Sequence, residues 1–234
     1  MSYSAHQIFP IRLGSCTTYF IKTSEGGVLI DAGNAHKVNH LSSVLLAHEM
    51  ELSDIRLILL THTHHDHVGS LAELKRRTGA QILVHALEAN FLRAGRTPLP
   101  KGTLLSTRLM VNMGRLFQVG SYEAVEPDML VEHDISLRFL GIEGQLIQTP
   151  GHTLGSISIL YKDQFAFVGD SMFNVRPETV FPPFANHPKL LLKSWKRFLE
   201  SPCELFFPGH GKPISRDRLQ HSYEKAVRQS NVKG

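Results

Sequence analysis

Residues 61–67, which read THTHHDH, constrain the fold and the function of this chain more than any other stretch does. Residues 55–60 before them form a short apolar run of the length of one β-strand. Apolar residues in the segment 68–74 after them recur at helical spacing. The stretch is therefore predicted to lie in the loop at the carboxyl end of a strand, where open α/β sheets commonly place their functional sites.

The spacing within this stretch predicts metal binding. In an extended segment, side chains two residues apart point the same way, so the rings of His62 and His64 can face one point. Asp66 and His67 follow as the chain turns, and they can face a second point a few ångströms away. This arrangement suggests two imidazoles for one metal ion, and a carboxylate plus an imidazole for a neighbouring ion.

Three later segments also place one ligand-type residue beside a predicted strand. His152 lies in a turn between two strand runs, and Asp170 and His210 each follow an apolar run. Each of these three residues alone is only a weak indication of a metal site, because a Gly-Asp or Gly-His pair after a strand more often belongs to an ordinary turn. Together with residues 61–67 they give five imidazoles and two carboxylates, and two metal ions that share a bridging carboxylate would use all seven.

Composition and charge set the broad class. The chain has 234 residues, 42% hydrophobic and 20% charged, as in a soluble globular protein that forms one large domain or two small ones. No apolar run approaches the roughly 20 residues of a membrane span, and no secretory signal is visible at the N-terminus. Cys16 and Cys203 form no disulfide framework and are interpreted as small buried hydrophobes. Cytoplasmic localisation is therefore predicted.

The net charge of +4 is unevenly distributed. Residues 189–234 hold ten Lys and Arg against four Asp and Glu, a surplus of six. The spacing of these charges is that of helix surface, so a solvated face is favoured over a site for an anionic substrate. The charge is too diffuse to predict nucleic-acid binding.

The order of the predicted elements favours an α+β fold of two mixed sheets packed face to face, with helices outside. Residues 1–234 are accordingly interpreted as a single catalytic domain. Strands are predicted at 7–13, 17–22, 27–30, 55–60, 80–84, 129–132, 135–140, 145–148, 156–161, 165–168 and 204–207. Helices are predicted at 38–51, 68–78, 86–93, 188–200 and from about 215.

Residues 94–122 interrupt this alternation and are interpreted as a helical insertion. An apolar stripe is formed there by Leu109, Met110, Met113, Leu116 and Phe117. The insertion could act as a lid over an apolar substrate. A helix that packs on its own domain, or on a second copy of the chain, is slightly favoured, and an exposed apolar face would favour a homodimer.

Two further residues, Asp31 and His85, allow two interpretations each. Asp31 ends a strand and is more readily a cap on the backbone of the next loop than a support for a metal site. His85 also ends a strand but stands alone, so a histidine satisfied by the protein is favoured over a metal ligand. Thr61 and Thr149 are, with Asp31, candidates for residues that contact the ligands.

The set His62, His64, Asp66, His67, His152, Asp170 and His210 resembles that of the metallo-β-lactamase superfamily. The resemblance covers nearly the whole chain, including residues 28–33 (VLIDAG) and 208–211 (PGHG). It implies a four-layer αβ/βα sandwich. It further implies that His62, His64 and His152 hold one metal, that Asp66, His67 and His210 hold the second, and that Asp170 bridges the two.

At several positions this sequence differs from the residue patterns of individual branches of the superfamily. These differences reduce the number of branches that the chain can resemble. Asp170 argues against antibiotic hydrolysis, because true β-lactamases lack a bridging aspartate there, and His64 stands where the flavodiiron branch has glutamate. The segment 171–209 is too short for the insertion of the RNA-processing nucleases. The chain is most similar to the glyoxalase II and acyl-homoserine-lactone lactonase branches. It lacks the length for a full glutathione-holding domain and the lactonase tyrosine after Asp170, the nearest tyrosine being Tyr161.

The resemblance and the donor set together predict a metal-dependent hydrolase. Two divalent ions, zinc before iron or manganese, would hold a bridging hydroxide that attacks an ester, thioester or lactone carbonyl. Asp66 would orient the hydroxide and Asp170 would bridge the ions. A small acyl compound is the expected substrate, with no membrane or nucleic-acid partner.

Alternative functions are an iron-dependent persulfide dioxygenase-like oxidoreductase, a phosphodiesterase or nuclease, and a metal-free binding protein. Phe173, Phe181, Phe184 and the pair Pro182-Pro183 could line an apolar pocket near Asp170, although ordinary packing is slightly favoured for them.

Overall fold

The structure is a computed structural model that describes residues 7–116 and 119–231 of the chain. These residues divide into two compact units, each built on its own six-stranded sheet. The first unit comprises the described residues through Pro98 together with Gly120–Glu132. The second comprises the described parts of Leu99–Val119 and of the chain from His133 onward. Within the described ranges, no helix has the length and hydropathy needed to cross a membrane.

The sheet of the first unit follows sequence order. Its strands are β1 (Ile8–Leu13), β2 (Cys16–Thr23), β3 (Gly26–Ile30), β4 (Ile55–Leu59), β5 (Gln81–His85) and β6 (Met129–Val131). β1 to β3 form an antiparallel meander, whereas β3 to β6 are parallel. The helices are α1 (Val38–Leu46), α2 (His65–Val68), α3 (Leu71–Thr78) and α4 (Ala86–Ala94). Because parallel strands end at one edge of a sheet, the segments that follow β3, β4 and β5 emerge side by side.

Apolar side chains explain why these segments adopt their elements. Leu57, Ile58 and Leu59 of β4 are all buried, as expected for a parallel strand covered on both faces. Leu71 and Leu74 of α3 lie on its buried side, in agreement with their helical spacing. The core of this unit is therefore formed by the residues that the apolar pattern predicts.

The second unit is built in the same way. Its strands are β7 (Ile135–Ser136), β8 (Gly144–Gln148), β9 (Ile157–Tyr161), β10 (Phe165–Asn174), β11 (Leu205–Gly211) and β12 (Ile214–Ser215). Neighbouring strands are antiparallel, except that β10 and β11 are parallel. The helices are α5 (Leu105–Leu116), α6 (Pro188–Glu200) and α7 (Arg216–Asn231). The core of this unit surrounds the buried Trp195 of α6.

The α+β fold with two mixed sheets is confirmed, and α6 begins and ends at the predicted residues. The helix predicted over 68–78 begins at Leu71, after the separate α2, and two further elements are shorter than predicted. The helix predicted over 38–51 ends at Leu46, because Glu49 takes a left-handed φ of 58° and the turn buries Met50. The strand predicted over 135–140 stops after Ser136 and is followed by a 3₁₀ turn at Arg138–Leu140.

The segment 94–122 contains α5, which exposes an apolar face. Leu105, Leu109, Met110 and Met113 are each more than half exposed, whereas Val111 is buried. Phe117, the last member of the predicted stripe, lies outside the described residues. The roles of the segment 94–122 as a lid or as a dimer contact stay predictions. The interpretations of residues 1–234 as a single domain and of residues 94–122 as an insertion also stay predictions.

Candidate functional site

The loop after β4 brings three buried imidazoles into contact, and we call His62, His64 and His67 the imidazole cluster. Their relative exposures are 1%, 4% and 0%. The ring centroids of His62 and His64 are 4.7 Å apart, and those of His62 and His67 are 4.2 Å apart. His64 precedes α2, and the single turn of α2 returns His67 to His62. The predicted convergence of these side chains is observed within the first unit.

Asp66 lies on the same helical turn and is half-buried. One of its carboxylate oxygens, Oδ2, lies 3.5 Å from the Ser15 hydroxyl, at the limit of a hydrogen bond. The carboxylate therefore projects from a loop that also carries three imidazoles. The loop therefore carries imidazole and carboxylate groups, the two types of side chain that the proposed metal site requires.

The Asp31 carboxylate holds the imidazole cluster in place through hydrogen bonds to Thr61 and His67. Its Oδ1 accepts a hydrogen bond of 2.8 Å from the Thr61 backbone N–H, and its Oδ2 accepts one of 2.8 Å from the Thr61 hydroxyl. Nδ1 of His67 lies 2.8 Å from the same Oδ2, and the Thr61 hydroxyl lies 3.1 Å from Nδ1 of His62. Because the carboxylate engages Nδ1 of His67, a metal ion would bind this ring through Nε2.

The preferred interpretation of Asp31 as a backbone cap is therefore correct only in part. Asp31 does bond a loop N–H, but it also bonds a candidate ligand ring. Its φ of 61° is a left-handed value that few non-glycine residues adopt, and such strain is concentrated at functional sites. The Asp31 N–H bonds Leu59 of the neighbouring strand, which holds this conformation. Thr149, the third candidate for a residue that contacts the ligands, forms a hydrogen bond with Ser158 through its hydroxyl.

Both cysteines are buried, as predicted. Sγ of Cys16 lies 3.6 Å from Nδ1 of His67, so Cys16, Asp31 and His67 are close enough to be compared with a metal site. Since Nδ1 of His67 already contacts the Asp31 carboxylate, we assign this group to the support of the His67 ring.

Sequence reasoning missed a second support, which is formed by the buried Glu88 of α4. Its Oε2 accepts hydrogen bonds from the backbone N–H and the hydroxyl of Thr63, the residue between two cluster histidines. The Thr97 hydroxyl donates to the Thr63 carbonyl and lies 2.7 Å from the Tyr122 hydroxyl. Burial raises the pKa of Tyr122 to about 12. The one signal in the sequence that could have identified Glu88 is that it is an acidic residue within the otherwise apolar start of a helix.

His85 behaves as predicted for a histidine satisfied by the protein. It precedes α4, and its Nδ1 accepts a hydrogen bond of 3.1 Å from the Leu87 backbone N–H. The ring therefore caps the first turn of the helix.

In the second unit, Asp170 lies between two histidines. Nε2 of His152 is 3.4 Å from its Oδ2, and Nε2 of His210 is 3.4 Å from its Oδ1. The other ring nitrogen of His152, Nδ1, lies 2.9 Å from the Phe184 carbonyl oxygen. The two oxygens of one buried carboxylate thus face different imidazoles.

His152 occupies the predicted turn between β8 and β9, but the positions of Asp170 and His210 differ from the prediction. Both lie inside strands rather than after them, because β10 continues to Asn174 and β11 to Gly211. The β10–β11 register shifts on both sides of Gly169, so Asp170 leaves the regular ladder.

Two glycines permit the close packing around these histidines. A Cβ on Gly151, whose φ is 148°, would lie 2.5 Å from the backbone of Leu191. A Cβ on Gly211, whose φ is 99°, would lie 2.2 Å from the Asn174 carbonyl oxygen. Phe173 stacks on the ring of His210 with a centroid distance of 4.5 Å, so it contacts a candidate ligand rather than an apolar pocket.

The donor types in each unit fit a divalent metal ion. Imidazole nitrogens and carboxylate oxygens bind zinc, iron and manganese alike. In both units a second protein group holds the opposite side of a candidate ligand ring, Asp31 at His67 and the Phe184 carbonyl at His152. Such contacts fix the tautomer and orientation that a metal ligand needs.

We expect Asp31→Asn to weaken metal binding by about 10- to 100-fold, because the carboxylate that holds Nδ1 of His67 is lost. Competition with a chelator of known affinity measures this change. Asp163→Asn is the matched control, since Asp163 lies in an exposed turn. Equal metal affinities for the two variants would contradict the assigned role of Asp31.

Comparisons with known proteins identify the family. A sequence profile of the Metallo-beta-lactamase superfamily matches residues 11–210. The metallo-beta-lactamase fold-containing protein ST1585 of Sulfurisphaera tokodaii is 30% identical over 95% of this chain and 85% of its own length. A hydroxyacylglutathione hydrolase of Shewanella pealeana is 32% identical over 53% of this chain, and the match spans only 35% of that relative.

Solved structures agree. TTHA1623 in a di-iron-bound form is 26% identical, with a TM-score of 0.68 over 92% of this chain and 98% of that chain. The BLEG-1 B3 metallo-beta-lactamase, at 22% identity, shares the fold with a TM-score of 0.72 over 94% of this chain and 99% of that chain. The chain therefore belongs to the metallo-β-lactamase superfamily.

Proposed function

We propose that this chain is a metal-dependent hydrolase of an ester, thioester or lactone carbonyl. Two divalent ions would be held by His62, His64, Asp66, His67, His152, Asp170 and His210. The placement of Asp170 carries this proposal, because its two oxygens face the different imidazoles of His152 and His210. A carboxylate placed in this way can bind one ion through each oxygen.

The proposed division of ligands follows the family pattern. One ion would be held by His62, His64 and His152, and the other by Asp66, His67 and His210, with Asp170 shared. The resemblance carries this division, since the ring of His62 lies close to both His64 and His67, with centroid distances of 4.7 Å and 4.2 Å.

Divalent ions bound there would supply hydroxide near neutral pH and polarise a carbonyl oxygen. The protein's own groups would position the reactants. Asp66, half-buried beside Ser15, would orient the attacking water through its carboxylate. Asp31 would keep the proton of His67 on Nδ1, and the Phe184 carbonyl would do the same for His152. These fixed groups reduce the reorganisation that accompanies attack on the carbonyl.

The substrate class is proposed from relatives. Hydroxyacylglutathione hydrolases of Shewanella pealeana and Pseudomonas aeruginosa match this chain over 35% and 44% of their own lengths. Their names support a thioester as the first candidate substrate class, and a lactone as the second follows from the resemblance of the ligand set. Zinc is the proposed metal, with iron as the alternative because TTHA1623 has a di-iron-bound form.

A hydrolysis panel tests the proposal. Thioesters, lactones and phosphodiesters are incubated with the metal-loaded chain under air and under nitrogen. We expect cleavage of a thioester or lactone at equal rates in the two atmospheres. Cleavage of phosphodiesters alone would contradict the proposed carbonyl chemistry.

An iron-dependent oxidoreductase is the second candidate, and it is favoured only by the fact that a similar protein, TTHA1623, has an iron-bound form. An iron-dependent dioxygenase acting on a persulfide would consume oxygen and would show no hydrolysis in the panel. Oxygen uptake with a persulfide, measured beside the panel, separates the two functions.

A further inference from the structure

A cavity of about 640 Å³ lies within the second unit. Four segments form it: the residues that lead into α5, the loop after β10, the start of α6 and the end of α7. Its volume falls in the range of about 300–1,000 Å³ that is typical of small-molecule sites. None of the three candidate ligands of this unit, His152, Asp170 and His210, lines it.

Positive charge converges on this cavity from all four segments. Among the described residues that line it, the cationic ones are Lys101, Arg108, Arg176, Lys189 and Lys225, and the one acidic residue is Glu178. Among the described residues, none of the five cations forms an ion pair with a carboxylate. Like charges gathered around one cavity repel each other, so an anion inside it would be stabilised.

The cavity also has an apolar wall. Phe181, Pro182 and Pro183 line it from the loop after β10, and Leu192 and Ala226 line it from α6 and α7. An inorganic anion would use only the cations and would leave this wall in contact with water. The combination therefore favours a ligand with both an apolar body and a negative charge.

Hydrogen bonds hold the wall in place. The Thr103 backbone N–H donates to the Pro183 carbonyl at 2.9 Å, and the Thr103 hydroxyl donates to the Pro182 carbonyl at 2.9 Å. The Lys101 N–H donates to Oδ1 of Asn186 at 2.9 Å. Because these bonds join two lining segments directly, the cavity is formed before a ligand enters, which lowers the cost of binding.

We propose that this cavity binds an amphipathic organic anion, in which an apolar body carries a phosphate or carboxylate group. The apolar body lies against Phe181, Leu192 and Ala226, and the anionic group lies among the lysines and arginines. Two of these lysines, Lys189 and Lys225, belong to the basic C-terminal region that was interpreted as a solvated face. The site goes beyond the proposed hydrolase activity, because it requires neither a metal ion nor the cleavage of a carbonyl bond.

The test uses the full chain, with and without chelator, and four probes. Dodecyl phosphate and dodecanoate are used below their critical micelle concentrations, dodecanol below its solubility limit, and inorganic phosphate is the fourth probe. Isothermal titration calorimetry measures each affinity. We expect dodecyl phosphate or dodecanoate to bind at least about tenfold more tightly than dodecanol and inorganic phosphate, with no effect of chelator. The stronger of the two anions identifies the preferred head group.

Two variants separate the charge from the apolar wall. The double variant Lys189→Gln/Lys225→Gln removes two lining cations and should weaken the anion by about tenfold. Lys196→Gln on the same helix α6 is the matched control and should leave binding unchanged, because Lys196 does not line the cavity. Ala226→Trp fills the cavity without a change of charge and should abolish binding, and circular dichroism verifies that each variant is folded.

Equal affinity for dodecanol and the two amphipathic anions would overturn the proposal, as would binding that survives Ala226→Trp. Tight binding of inorganic phosphate alone would also overturn it. Failure of the hydrolysis panel with intact anion binding would contradict the hydrolase proposal and leave this one standing.

Discussion

Asp170→Ala is expected to lower the kcat/KM of hydrolysis by at least about 100-fold and to reduce the metal content of the chain. Asp170 is buried, and its two oxygens lie 3.4 Å from Nε2 of His152 and of His210. Removal of the carboxylate takes one ligand from each proposed ion and leaves two imidazoles without the group that faces both. Elemental analysis and steady-state kinetics measure the two effects on one preparation.

Asp170→Asn sharpens this test. The amide keeps the size of the side chain but offers one oxygen in place of two, so we expect weaker metal binding with an intact fold. Asp163→Asn, in an exposed turn of the same unit, is the control that should retain activity and metal. Full activity of Asp170→Ala with unchanged metal content would show that Asp170 is not a ligand.

Trp195→Ala is expected to destabilise the protein by about 3–5 kcal/mol. Trp195 is fully buried in the core of the second unit, and its ring meets Phe181 edge-on with centroids 5.6 Å apart. Its indole N–H donates to the Ser171 carbonyl at 2.7 Å. The substitution therefore leaves a large cavity and an unpaired carbonyl beside Asp170. Urea unfolding followed by circular dichroism measures the loss, since Trp195 is the single tryptophan of the chain.

Two further variants divide this effect. Trp195→Phe keeps most of the packing but loses the hydrogen bond to Ser171, so a loss of about 1–3 kcal/mol is expected. Phe139→Ala is the exposed aromatic control, because Phe139 is 67% exposed, and its effect should stay within about 0.5 kcal/mol. A Trp195→Ala cost no larger than that of Phe139→Ala would contradict the assigned packing.

The elements near residues 61–67 could be predicted because their cause is local. Apolar residues in β4 and α3 follow the periods of a buried strand and a helix, and the structure contains both elements, although α3 begins at Leu71 rather than at residue 68. The alternation of His62 and His64 also carried geometric information, and their rings lie in contact. Local spacing was sufficient where neighbouring residues determine the outcome.

Contacts between distant segments could not be predicted. Asp31 and His67 are 36 positions apart, and their bond depends on the left-handed φ of Asp31, which no spacing encodes. Glu88 of α4 bonds Thr63, which is 25 positions earlier in the chain, and no local spacing predicts that contact. Asp170 and His210 were placed after strands because their glycines resemble turns, whereas the parallel pairing of β10 with β11 extends both strands past them.

Metal stoichiometry tests the central claim most directly. Elemental analysis of the purified wild-type chain and of Asp170→Ala is run beside hydrolysis under nitrogen. We predict about two divalent ions per wild-type chain, fewer in the variant, and hydrolysis that does not need oxygen. One iron per chain, no hydrolysis and oxygen uptake with a persulfide would contradict the binuclear hydrolase and assign the chain to oxidation chemistry.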